Sequence, residues 1–142
     1  MRRTLDLVDL ELALRLCAAA RARAQADDAL VSVAVVDGGG HLVAFQRMDG
    51  AEIAGPVLAR DKAYTAVAHR VSTGELSALV AERGDLAGMN SADGGRYVCF
   101  AGGKPLWSDG LVVGGVGVSG GTAEQDGAAA TVAVALWQQA TR

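Results

Sequence analysis

Gly115-Val116-Gly117-Val118-Ser119-Gly120 matches G-x-G-x-x-G letter for letter, and the architecture turns on what these glycines are for. The run Leu111-Val112-Val113-Gly114 comes before them and Thr122-Ala123-Glu124-Gln125, a capping box, comes after. A dinucleotide fingerprint occupies the same place, between a strand and a helix. Its remaining parts are missing. The fingerprint must open a strand–helix–strand unit, yet only one helix can follow before the chain stops. No acidic residue follows Asp126 to hold a ribose. Glu124 and Asp126 fall in the first helical turn, where carboxylates suit the helix dipole but repel a pyrophosphate. No nucleotide cofactor is expected, and without a Walker lysine no P-loop either.

The glycines need another cause. Alternate residues of a strand share a face, so Gly115 and Gly117 leave one face of this strand bare. A helix, a ligand or a second subunit could approach there.

Working outward, Asp109-Gly110 is a hairpin signal that joins this strand to Lys104-Pro105-Leu106-Trp107. Arg96-Tyr97-Val98-Cys99-Phe100 reads as a further strand, turned by Gly102-Gly103. Upstream, Val31 to Asp37 and His41 to Arg47 are strand-like runs joined by Gly38-Gly39-Gly40, a second hairpin. Apolar residues at Leu5, Val8, Leu12, Leu16 and Ala19 predict an amphipathic helix over residues 5–26. Pro56 opens an Ala-rich helix to about His69. Ser72-Thr73-Gly74-Glu75 matches a capping box for a short helix. Residues 84–95 hold four glycines and read as a loop. The order is helix, hairpin, two helices, three-strand meander, helix. That predicts one α+β domain over residues 1–142, with a five-stranded antiparallel sheet.

Composition narrows the function. The 142 residues are 51% apolar, 20% charged and 4% aromatic, with 19 glycines and a net charge of −3. An Ala, Val and Leu core follows. Nucleic acid is disfavoured, because phosphate neutralisation needs clustered cations. No run of 18 uncharged apolar residues occurs, so no membrane span is expected. Arg2-Arg3 is followed by acids rather than an apolar export segment. Cys17 and Cys99 lie too far apart for a CxxC site, and no CxxCH haem-attachment motif occurs. A reduced cytoplasmic chain is the expectation.

Several residues could carry chemistry. Lys62 and His69 are seven apart and share a helix face. Lys62 could hold an anion, lie on a solvated face, or pair with Glu124 or Asp126 to tie a helix to the sheet. Arg47 and Asp49 end the first hairpin, a common place for ligand contacts. Ser119, Gly120 and Gly121 offer backbone N–H groups at the glycine corner. His41 and His69 are the imidazoles, but their spacing specifies no metal site.

Taken together, these motifs resemble the GlcG/HbpS-like haem-degrading or haem-binding family, which also supplies the C-terminal domain of PduO-type corrinoid adenosyltransferases. The resemblance rests on residues 33–43 and on Arg47-Met48-Asp49-Gly50-Ala51. It continues through Ala59-Arg60-Asp61-Lys62-Ala63-Tyr64-Thr65-Ala66, Ser72-Thr73-Gly74-Glu75-Leu76, Gly102-Gly103-Lys104-Pro105-Leu106 and residues 115–126. It implies a profilin- or PAS-like sandwich and a homo-oligomer, a dimer or larger, up to an octamer. The segment 88–96 departs from the Pro-rich run usual before the Gly-Gly turn. Two functions follow as expectations. The first is binding of haem or another tetrapyrrole, with His69 and then His41 as candidate axial ligands. The second is a cofactor-independent isomerase, lyase or hydrolase acting on a small anionic metabolite. There Lys62 and Arg47 would hold the anion, and Glu124, Asp126 or His69 would move protons. Gly102 and Gly103 join Arg47, Asp49, Lys62, His69, Ser119, Gly120 and Gly121 as candidate ligand contacts.

Overall fold

The computed structural model describes residue 2 and residues 4–141; Arg3, half of the Arg2-Arg3 pair, lies outside them. The elements are α1 (Leu10–Ala26), β1 (Ser32–Asp37), β2 (Leu42–Arg47), α2 (Gly55–His69), the short α3 (Ser77–Val80), β3 (Gly103–Ser108), β4 (Leu111–Ser119) and α4 (Ala123–Ala140). The sheet has four strands in the order β2-β1-β4-β3, and every pairing is antiparallel.

Four strands replace the five expected, because Arg96 to Phe100 is not a strand. Its backbone is held by threonine side chains instead of a neighbouring strand. Val98 N donates to Thr65 Oγ1 at 3.0 Å, and Thr73 Oγ1 donates to the Phe100 carbonyl at 2.7 Å. Buried backbone groups must be paired, and two side-chain oxygens do this without a ladder. The β-rich composition of the segment reflects burial of Val98 and Cys99 rather than strand pairing.

The first helix starts later than its apolar spacing suggests. Asp9 caps it, its carboxylate accepting from Leu12 N at 2.8 Å. Asp6 N instead donates to Ser108 Oγ at 2.9 Å, so the segment before the helix runs across the end of β3. Leu5 and Val8 still pack on the core, which is what their periodicity recorded. At Thr122 the capping box is complete, with both reciprocal bonds present. The Ser72 box is not. Thr73–Leu76 forms a 3-10 turn with no side-chain cap, and Ser72 Oγ accepts from Lys104 Nζ at 3.2 Å.

Two layers of helix enclose the sheet. Val33, Val35, Val116 and Val118 face α1 and α4, where Leu16, Cys17, Ala130 and Trp137 complete the larger core. Ala34 and Val36 face α2, against Ala59 and Ala63. Gly115 and Gly117 lie on this second face, and here their purpose is visible. A Cβ on Gly117 would sit 2.0 Å from Ala59 O and 2.6 Å from Ala63 N, and one on Gly115 would sit 2.7 Å from Ala63 O. The backbone of α2 rests directly on the backbone of β4. The bare strand face is therefore filled by a helix of the same chain, and these glycines give no room to a second subunit. Among the described residues, no helix is long and apolar enough to cross a membrane.

Candidate functional site

Close approach of α2 to β4 carries Lys62 into the interior, where it is fully buried. Its Nζ donates to Val118 O at 2.9 Å and to Asp126 Oδ2 at 3.1 Å, and lies 4.9 Å from the centre of the Phe100 ring. Asp126 Oδ1 accepts from Gly121 N at 2.8 Å. The ammonium thus has two oxygen acceptors and an aromatic face, and the carboxylate is bonded through both oxygens. Burial lowers the Lys62 pKa from the ordinary lysine value, and Asp126 opposes that shift. Buried charges persist only when paired and hydrogen-bonded, and this pair meets both conditions.

Gly102 and Gly103 close over it. A Cβ on Gly102, which has φ of 129°, would meet Val118 O at 2.3 Å and Lys62 Nζ at 2.8 Å. At Gly120 the same addition would meet Leu30 O at 2.3 Å. Ser119 is buried beside them. The glycine corner is thereby packed around the ion pair. Gly102 and Gly103 also border a hollow of about 210 Å³ with Ser72, Glu75 and Gly127. Glu124 stands apart, exposed in a groove beside Arg23 and Asp27.

A second cluster lies on the outward side of α2. Tyr64 and Tyr97 stack with centroids 6.1 Å apart and planes 11° from parallel. His69 meets Tyr97 edge-on at 4.5 Å. Arg96 lies over the Tyr64 ring at 3.6 Å and binds Asp61 Oδ1 at 3.2 Å, while Tyr64 Oη donates to Asp93. The Tyr64 pKa is raised, chiefly by that bond. His69 Nε2 is buried and has no hydrogen-bond partner. His41 is exposed on the β1–β2 turn, whose N–H groups at Gly39 and His41 donate to Asp37 Oδ1 at 2.9 and 3.0 Å. That turn leans on α2, for a Cβ on Gly40 would meet the Tyr64 ring at 2.7 Å. His41 thus follows a turn that leans on Tyr64, whereas His69 touches Tyr97 directly.

Cys17 is fully buried, and burial pushes its thiol up to about 11. Burial also raises Cys99. Neither is poised as a thiolate ligand. Among the described residues, no group of three His, Cys, Asp or Glu side chains is placed to hold a metal ion. Arg47 and Asp49 sit at the other end of the molecule's hairpin, in a groove shared with Arg21 and Gln46. Arg21, Gln46 and Thr73 are further residues of these sites. Only Thr73 had a local signal, in the Ser-Thr-Gly-Glu stretch.

The architecture defines a small α+β domain, with two helices on one face of an antiparallel sheet and a third pressed onto bare glycine on the other. The model of the family described as haem degrading protein HbpS-like matches residues 8–135, and the chain belongs to that family. The corrinoid adenosyltransferase PduO of Salmonella typhimurium is 42% identical over 121 residues, which is 85% of this chain and 36% of that protein. This chain therefore spans little more than a third of that relative. A crystal structure of Klebsiella pneumoniae protein ORFY superposes with a TM-score of 0.90 at 31% identity, covering 97% of each chain. A crystal structure of a PduOC:heme complex superposes with a TM-score of 0.88 at 39% identity, covering 92% of this chain and 95% of that one.

Proposed function

We propose that this domain binds haem or a related tetrapyrrole reversibly on the α2 face formed by Tyr64, Tyr97 and His69. The observation that carries the reading is His69 Nε2, an imidazole nitrogen without a partner, set against two stacked aromatic rings. An axial imidazole and flat apolar walls are what a haem site needs. The family description and the heme complex of a relative support it. His69 is the first candidate ligand and His41 the second. Because Nε2 is covered, Tyr97 and its loop must yield before iron can reach it. Arg96, already over the Tyr64 ring, can exchange Asp61 for a propionate. No attachment motif exists, so binding is non-covalent.

The proton-transfer reading finds less support. Lys62 and Asp126 are brought together, but each satisfies the other in the interior, and Glu124 lies elsewhere. That arrangement supports a tie between helix and sheet.

Titration with hemin tests the proposal. A Soret band should rise with saturation, His69→Ala should weaken and shift it, and His41→Ala should do so less. No band, or an unchanged spectrum in the folded double variant, overturns the assignment.

A further inference from the structure

A groove lies on the sheet face opposite α2 and its tyrosine cluster, where the flank of α1 meets the end of β2. It measures about 580 Å³ and takes Arg21 and Gln25 from α1, Gln46 and Arg47 from β2, and Met48 and Asp49 just beyond. The fold explains the meeting. Arg21 and Gln25 are one turn apart, on the flank of the stripe buried at Ala20 and Ala24. Gln46 stands opposite Val33 and Ala44 opposite Val35, so Gln46 points to the α1 side of the sheet. β2 is an edge strand, so the sheet ends beside these side chains.

Two atoms of this groove's residues are left unsatisfied. Arg21 Nε and Gln46 Oε1 are both buried, and neither has a partner. Among the described residues, no ion pair involves Arg21, Arg47 or Asp49 within 4.0 Å. An unpaired donor and an unpaired acceptor, both covered and both on residues that line one groove, would be satisfied by a ligand with both functions once the two side chains turn toward it. Guanidinium groups recognise a carboxylate through paired N–H donors. Gln46 Oε1 and the Asp49 carboxylate are acceptors, and they need a hydroxyl or an ammonium.

We infer that this groove binds a small carboxylic acid carrying a hydroxyl or ammonium donor beside its carboxylate. Arg21 and Arg47 hold the carboxylate. Gln46 Oε1 and Asp49 take the donor. A simple anion would leave Gln46 unsatisfied and would face Asp49 with like charge. The site is separate from the tyrosine face, and the inference stands whether or not haem binds there.

Isothermal calorimetry with lactate, alanine, propionate and inorganic phosphate tests it. Lactate or alanine should bind more tightly than propionate and phosphate, and the better of the two identifies the donor. Arg47→Gln should weaken that ligand about tenfold or more, the usual loss for a hydrogen bond to a charged group. Arg21→Lys keeps the charge but loses the planar Nε–H fork, and should weaken it too. Circular dichroism confirms that both variants fold, and an unchanged hemin titration in Arg47→Gln separates this site from the other. No heat with any ligand at millimolar concentration, equal or tighter binding of propionate or phosphate, or unaltered affinity in both variants overturns the inference.

Discussion

Replacing Lys62 with Met removes the ammonium but keeps much of the side chain's length. It leaves Asp126 Oδ2 and the Val118 carbonyl without their donor, in a site where the two charged side chains are 1% and 5% exposed. Breaking a buried pair from one side costs about 3–5 kcal/mol. For a domain of this size each kcal/mol moves the melting temperature by about 2–4 °C. The expected fall is therefore roughly 6–20 °C. Adding Asp126→Asn removes the stranded charge while preserving an acceptor for Gly121 N, and should restore much of the loss. The sign of the pH dependence follows from burial, which lowers the Lys62 pKa from its ordinary 10.5. Between the lowered value and 10.5 the unfolded chain holds the extra proton, so stability from this group rises with pH across that window. The penalty on the protonated folded form is fully present below the window. Raised Cys17, Cys99 and Tyr64 pull stability the other way at alkaline pH but are common to both proteins, so scanning calorimetry from neutral to alkaline pH should show the native chain gaining stability relative to Lys62→Met. A single variant that melts within 2 °C of the native protein, yet no longer binds ligand, would refute the structural role and return Lys62 to a binding site.

Gly117→Val should abolish soluble folded protein, since its Cβ would lie 2.0 Å from Ala59 O and backbone cannot step aside; soluble protein with native circular dichroism would contradict the packing. Gly127→Ala is the opposite case, with only Ala101 Cβ at 3.7 Å, and should stabilise α4 by about 0.5–1 kcal/mol in urea unfolding. The chain should assemble as a homo-oligomer, since Trp107 on edge strand β3 is 46% exposed and Leu111 is 41% exposed. Light scattering that finds a monomer at micromolar concentration removes that expectation.

Much of this fold is local physics and could be read from the chain. Asp109-Gly110 takes positive φ at both residues, 48° and 75°, which is the geometry that makes such a pair a hairpin turn. Thr122 and Gln125 cap α4 because their partners are three residues away. Val33 and Val35 alternate with Ala34 and Val36 because a strand has period 2. What the chain could not show were pairings that span long separations. Val98 looks like strand because it is apolar and β-branched, but Thr65, 33 residues away, claims its N–H. Leu5 and Val8 carry a helical period because they are buried, while Ser108 holds Asp6 N away from helix.

The candidate site divides in the same way. From residue types alone, Lys62 was a cation in an Ala-rich helix and could face water, a ligand or an acid. Tertiary structure chose the acid, because Gly115 and Gly117 let α2 sink until the ammonium lay against Val118 O, Asp126 and the Phe100 ring. The same folding set His69 against Tyr97 and put Arg21 and Gln46 on one groove, residues with no common motif in the chain. A sequence specifies its turns, caps and strand faces through neighbours a few residues apart. Which polar groups are buried together, and which are left wanting a partner, depends on the close approach of α2 to β4 and of α1 to β2, and only the assembled fold brings those surfaces together.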